Sequence, residues 1–137
     1  MKQREIEELL TRLLEERGVP WVRERGLIRF RLRRGGAEWE VDCRCLDAQA
    51  ECYGRYPFSV SGRADALRRC NEINLRTARG AMLLPPDGRP VFRTVADIGD
   101  AYDAAERIER ALDDNARLLL RFWGSLERVD GARSEQP

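Results

Sequence analysis

Apolar residues at helical spacing open the chain. Over residues 2–17, one isoleucine and four leucines recur every three or four positions, with Glu and Arg residues between them. This is the period of one face of an α-helix. Gly18 suits the end of that helix and Pro20 cannot continue it, so the pattern predicts an N-terminal amphipathic helix.

Alternation of apolar and polar residues follows and predicts three strands. The runs cover residues 27–33, 37–46 and 50–58, and a period of two places one set of side chains on each face of a sheet. A Gly-Gly pair and an Asp-Ala pair separate the runs and provide short turns. The three runs are therefore expected to form an antiparallel meander with one solvated face.

Charged residues on the solvated face favour one strand register. With short turns, the residues that lie opposite each other are Arg44 and Glu51, Glu40 and Arg55, Arg33 and Glu38, and Arg31 and Glu40. Opposite charges meet in each of these pairs, which supports the register. We interpret the arginine row as part of a salt-bridged, solvated face, with an anion-binding stripe as the alternative.

A second helix and a hairpin come next. Residues 61–79 have a helical pattern with Ser61 as a candidate N-cap, and Gly80 ends it. The segments 81–84 and 91–95 are apolar and flank a Pro- and Gly-containing turn, so they are predicted to pair as a hairpin.

A long helical pattern over residues 97–128 completes the chain, with Asp97 as a candidate N-cap. Asp100 and Asp103 complement the helix dipole there; a metal-binding carboxylate set is the alternative. The tail, residues 129–137, is expected to be disordered. The element order α-β-β-β-α-β-β-α predicts an α+β fold, in which the helices pack on one face of an antiparallel sheet.

Two asparagines are unusual within the second predicted helix. At about 100° per residue, Asn71 and Asn74 share a narrow sector with Leu67 and Ala78, opposite the arginines. Both amides are therefore expected at the centre of the buried face. An amide both donates and accepts, so it can bond free backbone groups at a strand edge. We interpret the pair as a structural lock, with a ligand or partner contact as the alternative.

Composition narrows the function. The chain has 137 residues, which suits one domain, here residues 1–128. Its net charge of +1 gives no reason to expect nucleic acid or an anionic membrane as a partner. It contains no histidine, the commonest general base and metal ligand. Because no apolar run reaches the length of a signal peptide or a membrane span, a cytoplasmic protein is expected.

Three thiols cluster on the predicted inner face of the sheet. Cys43, Cys45 and Cys52 alternate onto that face, and Cys70 comes from the helix that should cover it. The spacing lacks the C-x-x-C pairs of a zinc site, and a buried Cys behaves as a small apolar residue. We therefore expect no cofactor or metal; a metal or redox sensor is the alternative. No phosphate loop or nucleophile motif is present, so no catalytic residues are assigned.

The motif that runs from Asn71 and Asn74 through Gly80 and the Asp87-Gly88 turn to the strand "PVFR" resembles the YbjN family, whose members are described as proposed sensory-transduction regulators of bacteria. Over residues 2–128 the resemblance implies a fold similar to that of type III secretion chaperones. Those chaperones are typically homodimers that hold an extended client segment. The resemblance thus implies a homodimer with a binding role and no catalytic residues.

Surplus apolar residues mark a candidate partner or dimer surface: Leu75, Leu118, Leu120 and Trp123. Apolar surface wider than one sheet needs usually meets another surface; packing within the chain is the alternative. We expect a non-enzymatic protein-binding module, chaperone-like or a regulatory adaptor, that captures an extended or helical segment in a groove or on a strand edge. The alternative is a small-molecule, metal or redox sensor that uses the thiol cluster.

Overall fold

A computed structural model describes residues 1–129 and the main chain of residues 132–134. The elements within these residues are α1 (Gln3–Glu16), β1 (Trp21–Glu24), β2 (Leu27–Arg34), β3 (Ala37–Leu46), β4 (Gln49–Arg55), β5 (Phe58–Val60), α2 (Arg63–Arg76), β6 (Ala81–Leu83), β7 (Val91–Asp97), α3 (Ala104–Glu127) and β8 (Ala132–Ser134). No helix in the described part of the chain is long and apolar enough to cross a membrane.

Six strands form one antiparallel sheet in the order β1-β2-β3-β4-β7-β6, and β5 pairs with β8. The predicted α+β fold is confirmed, including the three-strand meander and the β6–β7 hairpin. The strands β1, β5 and β8 were not predicted. Each has three or four residues, which is too short for alternation to be recognised.

The predicted register is also confirmed, because each expected pair lies directly opposite in the two hairpins. The ion pair from Arg33 to Glu38 spans 3.0 Å, and that from Arg31 to Glu40 spans 3.3 Å. Arg55 does not form the ion pair with Glu40 that the register predicted. It lies opposite Glu40 in the register, but its guanidinium pairs with a different carboxylate, as described below.

Two helix boundaries differ from the prediction. The second helix spans residues 63–76 and ends where Thr77 adopts an extended backbone. The third helix begins at Ala104, seven residues later than predicted. Asp97 is therefore the last residue of β7 and not an N-cap, and Ile98, 1% exposed, still donates its N–H to the Ala48 carbonyl at 2.9 Å. The buried Ile98 holds this segment against the sheet and delays the helix.

Part of the tail that was expected to be disordered lies within the residues that the structure describes. Residues 132–134 lie opposite β5, and Val129 is buried. Residues 130–131 and 135–137 lie outside the described residues.

The core lies between the inner face of the sheet and the three helices. Trp123 of α3 packs edge-on against the rings of Trp39, Tyr56 and Phe58, with ring centres 5.4–6.3 Å apart. The Tyr56 hydroxyl donates to the Leu119 carbonyl at 2.6 Å. These contacts place the long α3 across the middle of the sheet and leave α2 over the edge strand β6.

Candidate functional site

Asn74 ties α2 to the edge of the sheet. Its Nδ2 donates to the Met82 carbonyl at 3.0 Å, and its Oδ1 accepts the Met82 N–H at 2.6 Å. Met82 is the middle residue of β6, which is an edge strand. One amide therefore satisfies both main-chain groups that the edge residue points away from its neighbouring strand.

Asn71 does not share this role, and the expectation that both amides are buried is wrong. Asn71 is exposed, and its side chain makes no hydrogen bond within the described part of the chain. The buried stripe of α2 consists of Ala66, Cys70 and Ile73. Because α3 already fills the middle of the sheet, α2 packs over its edge and buries only a narrow stripe.

Asn115 of α3 is the buried amide at the centre of the fold. It is 2% exposed, and its Nδ2 lies 3.1 Å from the Cys52 carbonyl and 2.9 Å from the Phe92 carbonyl. The backbone of Gly54 passes so close that an added Cβ would lie 2.5 Å from the Asn115 Oδ1. Sequence reasoning missed Asn115, although a lone amide in the apolar stripe of α3 was the signal.

The remaining motif residues shape turns. Gly80 has a φ of +84°, and a Cβ there would lie 2.5 Å from the Arg93 carbonyl. Gly88 has a φ of +80°, and its carbonyl accepts the Val60 N–H at 2.9 Å. Asp87 accepts the Arg89 N–H at 3.0 Å. These residues fix the backbone at close approaches, which is an architectural role.

The thiols lie inside the fold. Cys43 and Cys52 face each other with 3.6 Å between their sulfur atoms, and all four cysteines are free and buried. The hydrogen bond to Cys52, together with burial, raises the pKa of Cys43 well above its usual range. Burial raises the pKa of Cys45 to about 12. Protonated thiols are poor nucleophiles and poor ligands, and the described residues contain no group of three or more acidic or Cys side chains placed to hold a metal ion.

The open face of the sheet carries two buried carboxylates. Asp42, 5% exposed, pairs with Arg29 at 2.7 Å and with Arg55 at 3.0 Å. Glu51, 7% exposed, pairs with Arg93 at 2.6 Å. Hydrogen bonds to these carboxylates raise the pKa of Arg29 and of Arg93. Each of these three arginines already has a carboxylate partner, so this charge network supports the interpretation as a salt-bridged face.

The candidate partner residues divide into two groups. Leu75 is 80% exposed, whereas Leu118 is 4% exposed and belongs to the core. Leu120 and Trp123 are half-buried against that core. Leu118 lies within the chain's own packing because α3 is enclosed by the sheet on one side and by α1 on another. Exposed large apolar side chains lie on α2, where Leu67 is also 46% exposed, and on β1, β6 and the loop before α3.

A groove of about 440 Å³ follows the edge of β7. Its floor is formed by residues 93–97 of β7, one wall by the loop from Ala78 to Ala81, and the other by the first half of α3. The groove exists because β6 pairs only with Val91–Arg93 and leaves the rest of β7 without a neighbour on that side.

Four arginines and two aspartates line this groove: Arg79, Arg93, Arg107, Arg110, Asp97 and Asp114. Arg79 reaches Asp114 on the opposite wall at 3.2 Å. Sequence reasoning missed the site because it gave the two hairpin strands nearly equal lengths. The spacing of Arg107 and Arg110 on one side of a helix was the available signal, and such a pair is common on solvated helices.

The fold defines the class: an antiparallel sheet with helices packed on one face, in the arrangement that the family resemblance implied. The crystal structure of YbjN from E. coli, a protein proposed to regulate transcription, has a TM-score of 0.61 to this chain at 11% sequence identity. The match covers 86% of this chain and 91% of that one. The YbjN-like fold is thus confirmed. No family model matches the chain, and no curated protein does.

Proposed function

We propose that this protein is a non-enzymatic, cytoplasmic binding module, a regulatory adaptor that takes an extended segment of another protein onto the open edge of β7. The observation that carries the proposal is the unpaired stretch of β7 beside a groove. An open strand edge offers main-chain groups that an extended peptide can pair with, and a flanking groove receives its side chains.

Two further observations support a binding role. A solved structure with this fold is that of a protein proposed to regulate transcription, which is compatible with a regulatory adaptor. The hydrogen bond to Cys52 and burial raise the pKa of Cys43, burial raises the pKa of Cys45 and of Cys70, and these thiols lie outside the groove, which makes them a poor basis for the alternative, a metal or redox sensor.

Site-specific photocrosslinking tests the proposal. A photoreactive amino acid would replace Val95 at the groove, and, in a matched control, exposed Arg12 on α1. We expect the Val95 variant to form adducts with a defined segment of one host protein, and the Arg12 variant to form none. That segment, synthesised as a peptide, should bind the purified chain. Identical adducts at both positions, or a synthetic segment that does not bind, would refute the proposal.

A further inference from the structure

We propose that the cleft between α2 and the second half of α3 binds a small anion that carries two linked phosphate groups. This cleft is separate from the groove beside β7, with which it shares no lining residue, so its ligand is independent of the proposed function. Its walls carry arginines that have no partner in the described structure, and the space between them is open.

Two facing helix sides form the cleft, which has a volume of about 360 Å³. Ile73 of α2 and Phe122 of α3 are buried and form its floor. On each helix two arginines are seven residues apart, which is close to two helical turns and places both on the same side. The remaining lining residues are charged or polar and stand along the rims: Arg69, Glu72, Arg76, Arg121, Ser125 and Arg128.

The two helices run in opposite directions along the cleft. Ala66, near the start of α2, belongs to the same small buried cluster as Val129, which follows α3. Arg76, at the end of α2, therefore lies across from Arg121, and Arg128 lies at the other end of the cleft. These two ends are roughly 10 Å apart along α3, at 1.5 Å per residue. A ligand with more than one charged centre is therefore favoured.

The cleft keeps a positive charge after its ion pairs are counted. Arg76, Arg121 and Arg128 form no hydrogen bond and no ion pair within the described residues. Arg69 pairs with Glu72 at 3.2 Å, and both of these residues belong to the lining. Four arginines against one glutamate therefore give a net charge of +3, with no ion partner left outside the count.

Two of the unpaired guanidiniums are held in place by neighbours that leave their N–H donors open. Arg121 lies over the Phe122 ring, with its central carbon 5.6 Å from the ring centre, and a cation–π contact occupies no N–H donor. Gly124 has no side chain at the point where an added Cβ would lie 3.1 Å from Arg128 Nη1, so Arg128 can lie back along the helix. Glu127 forms no ion pair with its described neighbours. The donors are therefore available to a ligand.

The charge and the size of the cleft favour a diphosphate. A phosphate monoester carries about −1.5 to −2 at pH 7, which is less than the lining requires, whereas two linked phosphates come closer to +3 and reach further along the cleft. The planar guanidinium matches phosphate oxygens with paired donors. A nucleic acid strand fits less well, because it needs an extended basic surface and the whole chain has a net charge of only +1.

Isothermal titration calorimetry and NMR test this assignment. The probes are pyrophosphate and ADP, with inorganic phosphate and the tricarboxylate citrate as controls for charge without linked phosphates. We expect both diphosphates to bind at least about tenfold more tightly than either control and to shift the Nε–H signals of Arg76, Arg121 and Arg128. Added salt should weaken the binding. Tighter binding of ADP would assign the site to a diphosphate ester, and tighter binding of pyrophosphate to the free anion.

Matched variants locate the site. Arg76→Gln and Arg121→Gln each remove one unpaired guanidinium, from different helices, and each should weaken pyrophosphate binding about tenfold. Arg12→Gln removes an exposed, unpaired arginine of α1 with the same change in net charge and should leave the affinity unchanged. Arg121→Lys keeps the charge but loses the paired donors, so it should restore only part of the affinity. Unchanged thermal unfolding without ligand would show that the variants are folded.

Several results would overturn the proposal. An equal loss of affinity in Arg12→Gln would mean general attraction and no defined site. Citrate that binds as tightly as pyrophosphate would refute the preference for linked phosphates, and the absence of binding by both diphosphates would refute the site. A phosphoserine peptide that binds more tightly than ADP and pyrophosphate would assign the cleft to a phosphorylated protein instead. The proposed function is tested separately, by crosslinking at Val95.

Discussion

Replacing Asn74 with alanine tests whether the edge strand depends on an amide from α2. The change removes two hydrogen bonds, of 3.0 and 2.6 Å, to the main chain of Met82. Each bond contributes about 0.5–1.5 kcal/mol, and because Asn74 lies at the surface, water will replace part of the loss. We expect the free energy of unfolding to fall by about 1–2 kcal/mol, and the melting temperature by roughly 4 °C for each kcal/mol.

Asn71→Ala is the matched control, since it makes the same change three residues earlier on the same helix. Asn71 is exposed and has no side-chain bond in the described structure, so its replacement should change stability by less than about 0.5 kcal/mol. Urea unfolding measures both values, and amide exchange at Met82 localises the effect. Equal costs for the two variants, or a Met82 amide that stays protected in Asn74→Ala, would refute the reasoning.

Three other predictions follow from the packing, the thiols and α2. Gly54→Ala places a Cβ 2.5 Å from the Asn115 Oδ1 and 2.6 Å from the Leu119 Cδ1; it should destabilise the fold by about 1–3 kcal/mol, and an unchanged urea midpoint would contradict this. Since burial raises the pKa of Cys45 from 9.0 to about 12, the unfolded chain loses this proton first. Stability should therefore fall as the pH rises from 9 to about 12, and less steeply in Cys45→Ala. The homodimer that the family resemblance implies would use the exposed face of α2, so light scattering should give the mass of two chains for the unchanged protein and of one for Leu75→Arg. A single-chain mass for both would refute the dimer.

Local chemistry explains why the strand register could be predicted. Ala48 occupies a left-handed turn position with a φ of 60°, and the tight turn leaves little freedom in how β3 and β4 pair. The charges then agree with that register at every expected pair. Alternation and turn length are both local properties of the sequence, and together they determine the strand register.

The orientation of α2 could not be predicted from local pattern, because it depends on whether α2 or α3 covers the middle of the sheet. On a helical wheel its leucines and asparagines fall in the sector that was expected to be buried. In the structure, however, Leu67 and Leu75 are exposed, and the smaller Ala66 and Cys70 are buried. The decisive fact is that α3 occupies the middle of the sheet. The groove has a similar origin, because it arises from the unequal lengths of two paired strands, and strand ends are poorly specified by periodicity.

The enclosure of the native thiols makes the chain suitable for spectroscopy. All four cysteines are buried, so a maleimide reagent applied to the folded protein would react first with any cysteine placed at an exposed position. The variant Arg12→Cys, for example, would accept a fluorophore or spin label without removal of a natural cysteine. Label incorporation above one per chain would then report directly on opening of the core.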